Sequence, residues 1–402
     1  MKTDLKNFID IEFALQWQSR HGKHCDLYFA RRANLWRDLF HKRLLDELMD
    51  KSVGDSIELE FSDGELVPKP ETPKLFTIRD NQFDKTFRSG ESIEPRNGRF
   101  YPKGILKGIH NVFRANREPF RCARVADSSI LVDFNHPLAG TRLHLKATIG
   151  NIETKHSKRA GGLSNDWMEI VTAGPGIQAR WNGEPTDFLS DNPFARTDQT
   201  PDSRFYGSPR MVDHIDAAAI EGISRLYGEL IPKGGKVLDL MSSWKSHIPT
   251  SLELDKVTGL GMNEEELKEN TRLSDFVIHD LNQNPTLPFE DDSFDALICT
   301  VSVEYMTNPV PVFKEAARVL KTGSPFIVTF SNRWFPPKVV TIWSQILEFE
   351  RMGLVAEYFE LSEKFRDLNT LSTRGLPRPA EDKYFGQLQV SDPVYAVWAY
   401  RT

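Results

Sequence analysis

Polar side chains follow several short apolar runs in the second half of this 402-residue chain. The runs at 236–240, 256–260, 276–279, 295–302 and 325–330 have the length and composition of buried strands. In open sheets of parallel strands, ligands bind in the crevice beyond the carboxyl ends of the strands. Nine residues at or just after these ends are therefore expected around one crevice: Asp239, Met241, Ser242, Ser243, Met262, Asn263, Asp280, Leu281 and Ser302.

The strands that must position these side chains alternate with helical patterns. Apolar residues recur at helical spacing over 211–230 and 310–320, and a further helix is predicted to start at 264–269. Strands that alternate with helices in one direction form parallel sheets with helices on both faces. The sequence thus predicts an α/β, Rossmann-like, doubly wound and mostly parallel sheet over 211–402.

Four motifs in this half follow one another in order, namely VLDL at 237–240, VTGL at 257–260, LPFEDDSFD at 287–295 and AARVLKTG at 316–323. The set resembles the class I S-adenosylmethionine-dependent methyltransferases over residues 205–400. The resemblance implies S-adenosylmethionine as the cofactor and the nine residues above as its binding site. It also implies that Asp239 orients the amino-acid part of the cofactor and that Asp280 accepts the adenine amino group.

Two positions depart from the family pattern. The run MSSWK at 241–245 replaces the usual glycine-rich turn, and Gly261 aligns with the acidic residue that usually binds the ribose. The two serines of that run can still donate hydrogen bonds, and Asn263 or Glu264 can reach the ribose. Alternatively, the Met and Trp side chains of the run fill the crevice, and the fold binds no cofactor.

The segment before the first strand of such a domain covers the cofactor and often touches the substrate. Residues 154–210 are therefore predicted to form a linker and covering arm, with Tyr206, Arg210 and Trp244 binding the methyl acceptor at its mouth. His247 and Tyr206 are the candidates for a catalytic general base. A structural role is the alternative for His247, because methyl transfer often needs no base. The acceptor can be a small molecule, a peptide or a protein.

A second resemblance lies in the first half of the chain. The stretch LVDFNHPLAGTRL at 131–143 predicts a strand, a tight turn and a second strand. With the β-rich region around it over 44–149, it resembles the SlyD-like branch of the FKBP-type peptidyl-prolyl isomerases. This implies a mainly β domain over 1–153, with a helix at 35–48. The implied ligands are proline-containing peptides, bound by Tyr101, Asn135, His136 and Leu138.

Composition limits the partners and the location. The chain has 51 basic and 57 acidic residues, and its net charge of −6 argues against a basic surface for broad nucleic-acid binding but leaves room for a local basic patch. No apolar run reaches about 18 residues, so neither a membrane span nor a signal peptide is expected. Three well-separated cysteines favour a cytoplasmic location. The HGKHC run at 21–25 is too weak a pattern to predict a metal site.

Two functions from different classes follow from these patterns. The first is a methyltransferase whose FKBP-like domain presents the acceptor. The second is a peptide-binding, chaperone-like or isomerase protein that carries a catalytically silent methyltransferase fold. Binding of S-adenosylhomocysteine distinguishes them, because only the first requires it.

Overall fold

A computed structural model describes residues 1–87, 92–155 and 163–402. The helices are α1 (Lys42–Leu48), α2 (Trp167–Thr172), α3 (Asp202–Phe205), α4 (Ala217–Leu230), α5 (Glu264–Glu269), α6 (Pro309–Val319), α7 (Thr341–Gln345) and α8 (Glu348–Ser362). The strands of the first half are β1 (Asn7–Gln18), β2 (Gly22–Ala33), β3 (Ser56–Phe61), β4 (Leu75–Arg79), β5 (Phe100–Pro102), β6 (Pro119–Ala126), β7 (Ser129–Asp133) and β8 (Leu143–Thr154). Those of the second half are β9 (Lys236–Leu240), β10 (Lys256–Gly261), β11 (Asp275–Ile278), β12 (Ala296–Thr300), β13 (Pro325–Phe330), β14 (Phe365–Arg374) and β15 (Val394–Arg401). Most of the start of the predicted linker, 156–162, lies outside the described residues.

The strands of the second half form an open sheet in the order β11-β10-β9-β12-β13-β15-β14. The first five are parallel, and β15 is antiparallel to both of its neighbours. From β9 the chain adds β10 and β11 on one side and then returns to add β12 and β13 on the other. The result is a doubly wound sheet of the predicted kind, and its switch point lies between β9 and β12.

Apolar cores on both faces explain why the central strands are almost continuously hydrophobic. Alternate residues of β9, β12 and β13 contribute to the core under α6 and α8 and to the core under α4. On the first face Phe313 of α6 packs against Phe326 of β13. On the second face Tyr227 of α4 is fully buried and shares hydrogen bonds with the hydroxyls of Thr300 and Thr329.

The sheet does not end with the second half of the chain. Strand β14 pairs in parallel with β2, and β1, β8 and β3 follow, giving one mixed sheet of eleven strands. The separate FKBP-like domain predicted over 1–153 is not shown by this arrangement. A smaller sheet in the order β4-β7-β6-β5 is inserted between β3 and β8 and encloses its own apolar core.

Two helices begin later in the sequence than predicted, and in each case an aspartate side chain near the start makes hydrogen bonds to other groups. The helix predicted over 35–48 begins only at Lys42, because the Asp38 carboxylate instead accepts bonds from the Asn34 amide and the Trp167 indole. The helix predicted over 211–230 begins at Ala217, with Asp216 as its N-cap. In the part of the chain that the structure describes, no helix is long and apolar enough to cross a membrane.

Candidate functional site

A cavity lies at the carboxyl ends of β9, β10, β11 and β12, next to the switch point of the sheet. All nine residues predicted to contact the cofactor line it, and so do Tyr206, Arg210, Trp244 and His247. The described residues of its lining all lie between Asp202 and Phe335. None of the described lining residues belongs to the N-terminal half. That half therefore does not directly enclose an acceptor in the described part of this cavity.

Asp239 is the second-last residue of β9 and lines this cavity. Its side chain is almost fully buried, and one carboxylate oxygen accepts bonds from the hydroxyls of Ser242 and Ser246, each at 2.6 Å. Burial raises the pKa of Asp239 to about 6, against the lowering effect of the two hydroxyls. The group thus changes charge near neutral pH, at the position where the resemblance places the amino-acid part of the cofactor.

The loop after β9 runs close beneath the end of β10. The Ser242 amide donates to the carbonyl of Leu260 at 2.8 Å. A Cβ built on Gly261 would lie 2.3 Å from the carbonyl oxygen of Ser242, a separation that real Cβ atoms do not show. The glycine that departs from the family pattern is therefore required by the path of the MSSWK loop.

Three non-glycine residues of the cavity have left-handed backbone conformations. They are Met241 (φ 58°), His247 (φ 56°) and Val301 (φ 47°), and each lies just after a strand end or in the loop that follows it. A β-branched residue such as valine rarely adopts this conformation. Such strain costs on the order of 1–3 kcal/mol per residue and is concentrated at functional sites in folded proteins.

A carboxylate that the sequence patterns did not single out joins two sides of the cavity. Glu266 of α5 accepts a bond from the Ser243 hydroxyl at 2.6 Å and from the Arg210 amide at 2.7 Å. Glu264, which was expected as a ribose acceptor, is exposed and pairs with Lys268 instead. Glu264 and Glu266 differ in their contacts because residues two apart in the sequence point to different sides of a helix.

The MSSWK run holds the segment that covers the cavity. The Trp244 indole donates to the Val212 carbonyl at 3.1 Å, and Lys245 pairs with Asp213 at 2.8 Å. Next to them, the Asn263 amide group donates to the Tyr206 carbonyl at 2.9 Å. These side chains therefore hold residues 206–213 over the strand ends. The bonds explain why helix α4 does not extend further towards the N-terminus into this stretch.

The acid after β11 belongs to a polar network at the other end of the cavity. Asp280 accepts bonds from the backbone amides of Asn282 and Gln283 at 3.0 and 3.3 Å. The Asn282 amide group in turn donates to Asp202 at 2.8 Å and to the Tyr305 carbonyl at 3.0 Å. Asp202 also pairs with the buried Arg196, so arm and strand end are fixed relative to each other.

The two candidates for a catalytic base differ in their chemistry. Burial lowers the pKa of His247 to about 4, so its imidazole is neutral at pH 7 and retains a free lone pair. Burial raises the pKa of Tyr206, which stays protonated. The Tyr206 hydroxyl is buried and makes no hydrogen bond within the described part of the chain. Of these two candidates, only His247 is unprotonated at neutral pH, and its lowered pKa makes it a weak base.

The residues predicted to bind peptides do not meet in one open pocket. Tyr101 is 5% exposed in the core of the small sheet, and its hydroxyl donates to the Glu94 carbonyl. The Asn135 side chain bonds Glu71 and Asp133, and the His136 ring accepts from the amide of Leu138. Leu138 is buried in the core of the large sheet, where a Cβ on Gly176 would touch it at 2.8 Å. The NHPLAG turn thus packs against the segment that leads to the arm.

A metal site is not indicated either. Within residues 1–87, 92–155 and 163–402, no group of three or more His, Cys, Asp or Glu side chains is placed to hold an ion. In the HGKHC region His24 bonds Thr370 and Ser19, and Asp26 bonds Ser372 and Arg374. These polar side chains are used to join β2 to β14.

Comparison with known proteins bears on the second half of the chain. Residues 246–328 match the family model described as "Methyltransferase domain". The chain contains a methyltransferase domain. The match begins in the loop after β9 and ends within β13, so it includes the ends of β10, β11 and β12. It confirms the methyltransferase part of the sequence prediction and supports S-adenosylmethionine as the cofactor of the domain.

Solved structures with distant similarity were also found, whereas a search of curated proteins gave no match. One is a SAM-dependent methyltransferase from Aquifex aeolicus, at 15% identity and a TM-score of 0.31, covering 50% of this chain and 97% of that chain. Another is an S-adenosylmethionine-dependent methyltransferase from Mesorhizobium loti, at 15% identity and a TM-score of 0.31, covering 45% and 100%. At these values neither likeness adds an argument about the site of the methyltransferase domain.

Proposed function

We propose that the chain is an active S-adenosylmethionine-dependent methyltransferase. One observation carries the proposal: residues from four separate strand ends, chosen for their types and spacing, line a single cavity at the switch point of the sheet. The family match covers three of these strand ends, those of β10, β11 and β12. The altered MSSWK loop does not close the cavity, because its Trp and Lys side chains are bonded to the covering segment.

The side chains present fit the chemistry of the cofactor. S-adenosylmethionine presents an ammonium group, two ribose hydroxyls and an adenine amino group, all of which donate hydrogen bonds. Five carboxylates line the cavity, and three of them, from Asp239, Glu266 and Asp280, lie near three different strand ends. Met241, Met262 and Leu281 supply apolar surface between them. These carboxylates match the donor groups of the ligand, and the apolar walls match its flat base.

The protein's part in the reaction is orientation and proton removal. The bound sulfonium supplies an activated methyl group, so catalysis depends mainly on aligning the acceptor with it. Asp239 holds the amino-acid end, and Tyr206 and Arg210 lie where an acceptor enters under the covering segment. The neutral imidazole of His247 takes the proton of an acceptor that must be deprotonated.

Calorimetric titration with S-adenosylhomocysteine tests the proposal. The folded wild-type protein is expected to bind, and D239A is expected to lose most of the affinity. D275A is the matched control, because Asp275 lies at the exposed start of β11 and pairs with Lys256 at the surface. Absence of binding by folded wild-type protein would remove the proposal and favour the peptide-binding alternative.

For the N-terminal half we propose a supporting role in acceptor presentation. It contacts the methyltransferase domain through β2 and through Arg180, whose guanidinium makes two bonds of 2.6 Å to Glu357 of α8. The arm extends these contacts, since the Asp187 amide donates to Asn97 and the Asp198 amide to Pro337. Binding of proline-containing peptides and isomerase activity stay predictions, which a proline-peptide isomerisation assay would test.

A further inference from the structure

The end of β10 cannot carry an acidic side chain in this fold. Any side chain at position 261 would meet the Ser242 carbonyl, as described above. The Leu267 side chain also lies within 3.2 Å of the same Cβ position. A carboxylate that serves this part of the cavity must therefore come from another position in the chain.

Two neighbouring candidates are already engaged elsewhere. The Asn263 carbonyl oxygen accepts the Glu266 amide at 3.1 Å as the N-cap of α5, and its amide group donates to the Tyr206 carbonyl. Glu264 pairs with Lys268 on the exposed side of the helix. The Asn263 oxygen is thus engaged by the helix, and Glu264 is not among the described residues that line the cavity.

Glu266 has the required position and spare capacity. It lies in the first turn of α5, directly after β10, and its side chain lines the cavity. Each carboxylate oxygen accepts one bond in the described structure, from Ser243 or from the Arg210 amide. A carboxylate offers about four lone-pair positions, so two remain for a pair of neighbouring hydroxyls.

We propose that Glu266 is the acceptor for the ribose hydroxyls of the cofactor, in place of an acid at position 261. The inference rests on the proposed function. It also explains the bonds to Ser243 and Arg210, because both orient the carboxylate and link the ribose site to the loop after β9 and to the covering segment. Glu266 thus makes the site selective for ligands that carry both hydroxyls.

The test compares two ligands by calorimetric titration, S-adenosylhomocysteine and its 2′-deoxy analogue. A hydrogen bond to a charged group contributes about 1.5–3 kcal/mol, which corresponds to about 10- to 150-fold in affinity. Wild-type protein is expected to prefer the hydroxylated ligand by about that factor. E266A is expected to bind both ligands equally. E264A, which removes a carboxylate two residues away on the exposed side, is the matched control and should keep the wild-type preference.

The outcomes separate this inference from the proposed function. If E266A keeps the preference, or if wild-type protein binds both ligands equally, Glu266 does not bind the ribose although the methyltransferase proposal stands. If wild-type protein binds neither ligand, the proposed function fails first. Circular dichroism and thermal unfolding establish that each variant is folded. E266L, which fills similar space and carries no hydrogen-bond acceptor, replaces E266A if the alanine variant is unstable.

Discussion

Gly261 and Ser242 approach each other so closely that a single added carbon on Gly261 would lie 2.3 Å from the Ser242 carbonyl oxygen. Gly261 ends β10, and Ser242 lies in the loop after the neighbouring strand β9, where its amide also donates to the Leu260 carbonyl of β10. This contact connects the two departures from the methyltransferase pattern, the MSSWK loop at 241–245 and the glycine at position 261. The loop without the glycine-rich turn takes the space that an acid after β10 would need.

Replacement of Gly261 by alanine should therefore damage both stability and the cofactor site. Overpacking in a close-packed region costs about 1–3 kcal/mol in the free energy of unfolding. We expect a loss of that size in denaturant unfolding, together with weaker binding of S-adenosylhomocysteine. G222A is the control, because Gly222 lies in helix α4 and its Cβ would meet Val394 of β15 at an ordinary contact distance of 3.8 Å. Wild-type stability of G261A would contradict the described path of the loop.

Asp239 should make stability depend on pH. Its pKa is about 6 in the folded protein and near 3.8 in the unfolded chain. Because the folded value is the higher one, its contribution to stability is complete below pH 4 and is lost as the pH rises through 6. The difference corresponds to about 3 kcal/mol. Unfolding free energies of wild-type protein should thus fall relative to those of D239N between pH 4 and 7.

The same group should give cofactor binding a pH dependence of the opposite sign. An ammonium group near Asp239 favours the ionised carboxylate, so affinity for S-adenosylhomocysteine should rise from pH 5 to 7. Titration in buffers of different ionisation enthalpy would detect the accompanying proton release. D239N should bind weakly and with little change over this range. A steep pH dependence in D239N would assign the titration to another group.

The fold of the methyltransferase domain was predictable because its signals are local. Apolar runs such as 325–330 and turns such as that before β9 define strands without reference to the rest of the chain, and the strand predicted there forms over the same residues. The nine predicted residues come together for the same reason, since parallel strands bring their carboxyl ends to one edge. The position of Glu266 in the site was not predictable in this way, because it depends on which side of the short helix α5 faces the cavity.

The large sheet was not predictable in the same way. Strand β1 alternates strictly, with Ile9, Ile11, Phe13, Leu15 and Trp17 on the buried face. This period of two indicates a strand but does not specify its partners. The pairing of β2 with β14 joins residues about 346 positions apart, such as His24 and Thr370. No local pattern specifies such a contact, so the two halves were expected to form separate domains.

Removal of the Tyr206 hydroxyl should stabilise the free protein. A buried hydroxyl without a partner costs about 1–3 kcal/mol, so Y206F is expected to raise the free energy of unfolding by about 1 kcal/mol. Y305F is the matched control with the opposite sign, because the Tyr305 hydroxyl accepts a bond from the Phe335 amide at 2.8 Å. Denaturant unfolding measures both. Destabilisation of Y206F would show that its hydroxyl has a partner in the folded protein.

The junction between the two halves should depend strongly on Asp26. This fully buried carboxylate accepts bonds from the Ser372 hydroxyl at 2.6 Å and from two nitrogens of Arg374 at 3.0 and 2.7 Å. Removing one partner of a buried ion pair leaves an uncompensated charge and costs about 3–5 kcal/mol. We expect D26A to lose that much stability in denaturant unfolding.

The control for Asp26 is E153A, which removes an exposed partner of Arg32 and should cost less than about 1 kcal/mol.

The shape of the unfolding transition gives a second readout. Because β2 and β14 belong to one sheet, the two halves should unfold together, and D26A should shift a single transition. Two separate transitions in wild-type protein would show that the halves are independent domains. In that case a chain that starts at residue 163 should fold and bind S-adenosylhomocysteine by itself. If the two halves instead share one sheet, this shortened chain lacks β2, and the unpaired edge of β14 should make it prone to aggregation.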